Sequence, residues 1–239
     1  MLSGRDVDFL LTNDDGYDAE GLQSLCQAIG SIGTLAMVAP DTVRSCCSHA
    51  VTTAEALTII PLESMRWKVS GTPADCVRVA IKYLGIRPKW VLSGVNEWGN
   101  LGVDIHYSGT VAAAREAALL GFPSMAISQY LRRDRPRDWP LSALRAAHAW
   151  SELKSIKLQE NQFWNVNLPV VDHAGVELEL AHVEPEPQML GYDFASIDGQ
   201  AQAVKYRSNY QERPRSDQFD VAMCFSGNIT VSRLNTSLH

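Results

Sequence analysis

The N-terminal region constrains the fold of this 239-residue chain most strongly. Residues 7–12 form a short apolar run without polar alternation, and the run stops abruptly at the polar turn of residues 13–16. Such a run is typical of a β-strand that is buried on both faces, as in a parallel sheet. An amphipathic helix follows, and its apolar stripe consists of Leu22, Leu25, Cys26 and Ile29. With the next apolar run at residues 35–39, this order predicts a β-α-β unit.

The same alternation recurs along the first 130 residues. A capping sequence at residues 72–75 opens a second helix with proline in its first turn. Residues 90–95 are another apolar strand, residues 108–120 a third helix, and residues 123–128 the strand after it. Alternating strands and helices predict an α/β fold with a doubly wound, mostly parallel sheet and right-handed crossovers.

The sequence changes character after about residue 130. Residues 132–140 are charged and contain proline, a helix is predicted over residues 141–153, and later apolar pieces are separated by Pro, Gly and Asn. We therefore predict that residues 1–130 form the core with the functional site. Residues 131–239 are predicted to complete the sheet and to form a C-terminal arm.

Composition limits the kinds of partner. The formal net charge of -6 argues against a broad basic face for duplex nucleic acid. The five cysteines include no CxxC pair, which favours neither a disulfide framework nor a zinc site. No apolar run approaches membrane-spanning length, and residues 1–8 lack an apolar signal core. The sequence thus predicts a cytoplasmic protein without a membrane partner.

Oxygen-bearing side chains follow several of the predicted strands, where ligands bind in open parallel sheets. Asp14 and Asp15 come directly after the first strand, and Ser45 and Asn96 lie in loops after later strands. Adjacent carboxylates repel each other unless a cation lies beside them, and oxygen ligands suit Mg²⁺, Mn²⁺ or Ca²⁺ rather than zinc. The alternative is that residues 14–16 form an ordinary solvated turn.

A second candidate feature is the glycine-containing turn that opens the third helix. Its free backbone N–H groups and the helix dipole can hold a phosphate, with the hydroxyls of Ser108 and Thr110 as further donors. The alternative is an ordinary helix N-cap. His106, just before this turn, could donate a proton to a leaving group or be a surface residue. Hydrolysis of phosphate esters requires a cation site beside an anion site.

Five ordered motifs closely resemble the SurE survival-protein family of 5′-nucleotidases; they are residues 13–16, residues 38–41 with 44–45, residues 71–77, residues 93–96, and residues 100–102 leading to 107–116. The resemblance implies a Rossmann-like core and one divalent metal cation per subunit. It also implies phosphatase activity on nucleoside monophosphates, and homodimers or homotetramers that exchange C-terminal elements. On this basis we expect the C-terminal part to serve as an oligomerisation arm.

The resemblance also implies roles for single residues. The implied metal ligands are Asp14, Asp15, Ser45 and Asn96, with Asp14 or Asp15 as catalytic base. The implied phosphate-binding residues are Asn100, Ser108, Gly109 and Thr110. We expect a Mg²⁺- or Mn²⁺-dependent enzyme that hydrolyses nucleoside 5′-monophosphates and, by extension, 3′-monophosphates and other phosphate esters.

The chain departs from the family pattern at two places. Cys46 and Cys47 follow Ser45, where the family usually has small residues. In residues 96–102, here called the asparagine loop, Trp98 replaces the first glycine of the family pattern. If that glycine takes a positive φ, Trp98 is strained by about 1–3 kcal/mol, or the turn shifts to Gly99. Trp98 could stack on a base or act as a packing residue. An alternative is therefore a non-catalytic homologue that binds metal or nucleotide through an altered loop.

Two other enzyme classes fit the sequence less well. Haloacid-dehalogenase phosphatases need an Asp-x-Asp spacing after the first strand, whereas Asp14 and Asp15 are adjacent. Nicotinamide-binding Rossmann enzymes need a GxGxxG motif, and none follows Thr12.

Overall fold

The computed structural model describes residues 5–173, 175–188, 190–198, 201–207 and 209–236. The outer ends of the predicted core and arm, residues 1–4 and 237–239, lie outside this set. The strands, in chain order, are β1 (Arg5–Thr12), β2 (Leu35–Pro40), β3 (Ile59–Pro61), β4 (Arg66–Val69), β5 (Ile86–Glu97), β6 (Ser124–Gln129), β7 (Gln162–Leu168), β8 (Leu178–Leu180), β9 (Gly191–Asp198), β10 (Ala201–Arg207) and β11 (Ile229–Asn235).

Nine of these strands form one sheet in the order β3-β4-β2-β1-β5-β6-β7-β11-β8. The pairs from β4 through β7 are all parallel, whereas β3 with β4 and β11 with β7 are antiparallel. The helices are α1 (Glu20–Gly30), α2 (Pro73–Arg78), α3 (Gly109–Leu119), α4 (Trp139–Leu153) and α5 (Asp220–Phe225). This architecture confirms the predicted α/β class and its mostly parallel sheet.

Helices cover both faces of the sheet, as a doubly wound fold requires. Phe9 and Leu11 of β1 belong to the same core cluster as Leu22 of α1 and Trp139 of α4. Leu10 lies in the opposite core, which contains side chains of α2 and α3. Strand β1 is therefore buried on both faces, which is why its sequence lacks polar alternation.

The chain changes direction across the sheet at β1. Strand β1 pairs with β2 on one side and with β5 on the other, both in parallel register. Such a switch point leaves a crevice beyond the carboxyl ends of the two strands, and ligands of open α/β sheets bind there. Asp14 and Asp15 follow β1 at this crevice, and Asn96 lies at the carboxyl end of β5.

Several boundaries differ from the sequence predictions for local reasons. Strand β5 extends beyond residues 90–95 because its first part pairs with the start of β1. Helix α4 begins before residue 141 because Asp138 caps it, accepting a hydrogen bond from the Leu141 N–H at 2.9 Å. Helix α2 ends at Arg78, and the chain continues as a π-helical turn, Val79–Tyr83.

The C-terminal part contributes to two sheets. Strands β7, β8 and β11 extend the main sheet, whereas β9 and β10 form a separate antiparallel hairpin. The sequence did not resolve β3, β4 or the strands after residue 180 individually, since these pieces are short or partly exposed and lack a clear apolar period.

Candidate active site

Asp14 contacts the amino end of α3, although Asp14 and Thr110 of this helix are 96 positions apart in the sequence. The Thr110 hydroxyl donates a hydrogen bond to Asp14 Oδ1, and the backbone N–H groups of Gly109 and Thr110 face the same carboxylate. Burial raises the pKa of Asp14, and these hydrogen bonds oppose the increase. The residue predicted to bind metal therefore contacts two of the residues predicted to bind phosphate.

Gly109 allows this close approach. A Cβ atom at residue 109 would lie 2.8 Å from Asp14 Cβ and 2.8 Å from Cys47 Sγ, closer than van der Waals contact allows. The amino end of α3 can meet the carboxylate because this position has no side chain. Ser108 caps the helix by accepting a hydrogen bond from the Val111 N–H at 3.0 Å.

Asp15 is held by β5. Its Oδ2 accepts a hydrogen bond from the Glu97 backbone N–H at 2.9 Å. Burial and then the negative charge of Asp14 raise the pKa of Asp15 to about 7. Within the described residues neither carboxylate forms an ion pair with Lys or Arg. The two acids thus form a partly buried site with little positive compensation.

Ser45 reaches the site through a loop that is fastened at several points. The Arg44 N–H donates to the Asp14 carbonyl oxygen at 2.7 Å, and the Ser48 hydroxyl donates to the His106 carbonyl oxygen at 2.7 Å. Further along, His49 Nε2 lies 2.8 Å from Glu116 of α3. These contacts hold the loop beside the amino end of α3.

Of the two conformations predicted for the asparagine loop, the structure has the one in which the backbone of Trp98 is strained. Trp98 has a φ of 88°, so the positive-φ position does not shift to Gly99. The Trp98 carbonyl oxygen accepts a hydrogen bond from Asn96 Nδ2 at 2.5 Å. Asn100 Nδ2 donates to Ser128 Oγ at 2.7 Å, which anchors the other end of the loop.

A cavity of about 590 Å³ opens at this site. Five predicted site residues line it: Asp14, Ser45, Asn96, Asn100 and Ser108. Gly109 and Thr110 lie behind Asp14 instead of lining the cavity, and Asp15 lines a neighbouring cavity of about 520 Å³ together with Ser45. The structure therefore brings the eight predicted residues into one locality; six of them line two neighbouring openings, and Gly109 and Thr110 line neither.

The opposite wall of the cavity comes from the C-terminal part and was not predicted from the sequence. Its members are Pro187, Gln188, Leu190, Tyr206 and Tyr210. Arg213 Nη1 and Asp104 Oδ2 form a partly buried ion pair at 2.6 Å, and Gln188 Nε2 donates to the same carboxylate at 3.1 Å. The segment that supplies this wall has no clear apolar periodicity, and its aromatic and amide side chains are the local sequence signal that could have indicated a ligand-binding surface.

The donor set fits a hard divalent cation. Two carboxylates, a hydroxyl and an amide are the oxygen groups that Mg²⁺ and Mn²⁺ accept. Asn13 Oδ1, beside Asp14, is buried and has no hydrogen-bond partner. In the described part of the chain, three or more His, Cys, Asp or Glu side chains do not converge as a metal site, so a cation here would depend partly on neutral oxygens.

Comparison with known proteins identifies the family. The sequence profile of the survival protein SurE matches residues 9–187. The chain belongs to the SurE family. A protein from Synechocystis sp. is 40% identical over 228 residues, which cover 95% of this chain and 99% of that protein. The 5′-nucleotidase SurE of Myxococcus xanthus is 42% identical over 180 residues, covering 74% of this chain and 66% of the relative.

A solved structure supports the same assignment. The SurE protein from Aquifex aeolicus superposes with a TM-score of 0.87 at 28% identity, covering 97% of this chain and 94% of that chain. The resemblance inferred from the ordered motifs is therefore confirmed. Among the described residues, no helix has both the length and the apolar composition needed to cross a lipid bilayer.

Two residues of this SurE-family site have limited chemical roles. Burial and the negative charge of Asp14 raise the pKa of the Cys47 thiol to about 11, so the thiolate nucleophile is scarce at neutral pH. His106 is exposed and does not line the cavity, and its backbone carbonyl accepts the Ser48 hydroxyl. The geometry favours the interpretation of His106 as a surface residue.

Proposed function

We propose that this chain is a divalent-metal-dependent phosphatase that hydrolyses nucleoside 5′-monophosphates to nucleoside and phosphate. The observation that carries the proposal is the contact between the buried Asp14 carboxylate and the amino end of α3, beside a cavity of about 590 Å³. The relatives from Myxococcus xanthus and Pelobacter propionicus that bear the name 5′-nucleotidase SurE add support. Activity on 3′-monophosphates and other phosphate esters is part of the proposal.

Asp14, Asp15, Ser45 and Asn96 would hold one Mg²⁺ or Mn²⁺ ion. When bound, such an ion polarises a phosphoryl oxygen and lowers the pKa of water.

The chain's own groups have separable tasks in hydrolysis. Asp14 or Asp15 can accept a proton from the attacking water. Asp14 is oriented by Thr110, which fixes where its charge lies. The Ser108 hydroxyl, which lines the cavity at the amino end of α3, can donate a hydrogen bond to the phosphoryl group and stabilise its developing negative charge. Asn100, anchored by Ser128, lines the same cavity.

Phosphate release from a panel of substrates tests the proposal. The panel contains purine and pyrimidine 5′-monophosphates, a 3′-monophosphate and p-nitrophenyl phosphate, each with chelator, Mg²⁺ or Mn²⁺. We expect release that chelator abolishes and metal restores. Metal or nucleotide binding without release would favour the non-catalytic homologue, for which the strained Trp98 is the supporting observation.

We also propose that residues 131–239 include an oligomerisation arm, in a homodimer or homotetramer. The hairpin of β9 and β10 exposes large apolar side chains, namely Tyr192, Phe194, Val204 and Tyr206. An apolar surface of this kind is typical of a contact between proteins. Light scattering of wild type and Phe194→Ser tests the arm: we expect a smaller species for the variant, whereas an unchanged mass would contradict the assignment. A cytoplasmic location stays a prediction.

A further inference from the structure

Trp98 differs from the tryptophans that serve as core packing. Trp98 is 39% exposed, whereas Trp164 is 0% and Trp139 is 8% exposed. Its neighbours on the 590 Å³ cavity wall include Asp14, Ser45 and Ser108. A large apolar ring left open beside a polar catalytic group is poorly explained by packing.

The backbone at Trp98 is unfavourable for this residue type. A φ of 88° is easily adopted by glycine but strained for tryptophan. Backbone strain of this kind persists where the surrounding structure enforces it, and such positions cluster at functional sites. The chain therefore retains an indole at a position where glycine would be conformationally easier.

The Trp98 ring lies next to a second aromatic ring that is itself held by hydrogen-bond and cation–π contacts. The Tyr210 ring lies 6.0 Å from the Trp98 ring between centroids. Tyr210 is fixed in turn, because its hydroxyl donates to the Gly99 carbonyl oxygen at 2.8 Å and Arg213 lies over its ring at 4.7 Å. A rigid aromatic wall loses little conformational entropy when a flat ligand stacks on it.

We infer that Trp98, supported by Tyr210, forms a nucleobase-stacking subsite that makes this chain selective for nucleotides, purine before pyrimidine, over phosphate esters without a base. The inference rests on the proposed nucleotide substrate. Stacking is tolerant of base identity because every base has a π-face, and the larger purine face stacks more strongly. Tyr107, Tyr206 and Leu190 add apolar surface to the same cavity.

Glycine at position 98 is an informative substitution. Trp98→Gly removes the ring but keeps the backbone carbonyl that accepts the Asn96 hydrogen bond, and it removes the strain at positive φ. Trp98→Phe keeps an aromatic face. Tyr83→Ala removes an exposed aromatic ring from the π-helical turn, away from the cavity, and is the matched control.

The experiment compares kcat/KM for adenosine 5′-monophosphate with kcat/KM for ribose 5-phosphate. We expect Trp98→Gly to lower this ratio about 10-fold or more, mainly through the KM of the nucleotide, while Trp98→Phe keeps most of the ratio and Tyr83→Ala keeps all of it. An unchanged ratio in Trp98→Gly overturns the inference. Equal losses on both substrates also overturn it, because they would assign Trp98 to the loop geometry.

A binding measurement separates this inference from the proposed function. Calorimetric Kd values for the same two ligands with Mg²⁺ give the selectivity ratio without turnover. If wild type releases no phosphate, the proposed activity fails, and the Kd ratio of wild type against Trp98→Gly still tests the stacking subsite. We expect that ratio to fall about 10-fold or more as well, and an unchanged Kd ratio would refute the subsite.

Discussion

The Thr110 hydroxyl donates a hydrogen bond to Asp14 Oδ1 across 96 positions of sequence. This contact joins the end of the first strand to the first turn of α3. Because Asp14 is buried, its orientation depends on the few donors that reach it. In our proposal, the group that holds the metal and the helix end that stabilises phosphate are therefore positioned by one another.

Removing this hydroxyl tests the coupling. Thr110→Val has nearly the same shape but cannot donate, so it leaves the Asp14 carboxylate without one of its hydrogen bonds. We expect kcat/KM for a nucleoside monophosphate to fall about 10- to 100-fold, with the fold intact by circular dichroism. Thr110→Ser keeps the hydroxyl and is the matched control. Near-wild-type activity in the valine variant would contradict the role given to Thr110.

Gly109 should be intolerant of any side chain. In Gly109→Ala the new Cβ would lie 2.8 Å from Asp14 Cβ, so Asp14 or the helix end must move. We expect unfolding free energy to fall by about 1–3 kcal/mol and turnover to fall with it. Gly175→Ala is the control, since a Cβ there meets no atom within 4 Å. Equal thermal stability of Gly109→Ala and Gly175→Ala would contradict the close approach of residue 109 to Asp14.

The raised pKa of Asp15 predicts a pH dependence in metal-free protein. Burial and the charge of Asp14 raise this pKa from 3.8 to about 7. The folded state then binds the proton more tightly than the unfolded chain, so this contribution to stability is fully present below about pH 4 and is lost as the pH rises through about 7. Urea unfolding in chelator from pH 4 to 7.5 measures the loss.

We expect Asp15→Asn to lose much of this pH dependence, because amides do not titrate. Glu55→Gln, at an exposed position, is the control and should behave like wild type. If Asp15→Asn shows the wild-type slope of unfolding free energy against pH, the pKa of Asp15 is not raised in solution.

The ion pair between Asp104 and Arg213 should anchor the C-terminal wall of the cavity. The Arg213 side chain is 1% exposed and the Asp104 side chain is 20% exposed, and Arg213→Met leaves the partly buried Asp104 carboxylate without its ion-pair partner. We expect a loss of about 1–3 kcal/mol in unfolding free energy and a higher KM for the nucleotide. The exposed pair of Arg207 and Asp193 provides the control, because Arg207→Gln should cost about 1 kcal/mol or less. Similar losses in both variants would argue against this anchor.

The elements that could be predicted from the sequence are those whose buried residues follow a recognisable apolar pattern. Strand β1 is a short continuous apolar run, and helix α1 has an apolar stripe with helical spacing. Asp14 was located because ligand loops follow strands in parallel sheets, and Ser108 because it opens a helix whose amino end can hold an anion. The positive φ at Trp98 was anticipated as one of two alternatives, from the glycine it replaces.

The distant wall of the cavity could not be predicted from local patterns. Tyr210, Gln188 and Tyr206 reach the cavity through tertiary contacts such as the pair of Arg213 and Asp104, which no spacing in the sequence reveals. The same limitation applies to the contact between Thr110 and Asp14. Sequence could place each residue near a ligand, but the hydrogen bond between them depends on how α3 packs against the end of β1.

Metal-dependent hydrolysis of a nucleoside 5′-monophosphate by wild type, Asp14→Asn and Asp18→Asn tests the central claim most directly. Asp18 is a nearby exposed acid that pairs with Lys68, so its variant controls for a lost negative charge. We predict that Asp14→Asn loses about 100-fold or more in kcat with its fold intact, while Asp18→Asn keeps wild-type turnover. Metal-dependent activity retained by Asp14→Asn would contradict the assignment of the site.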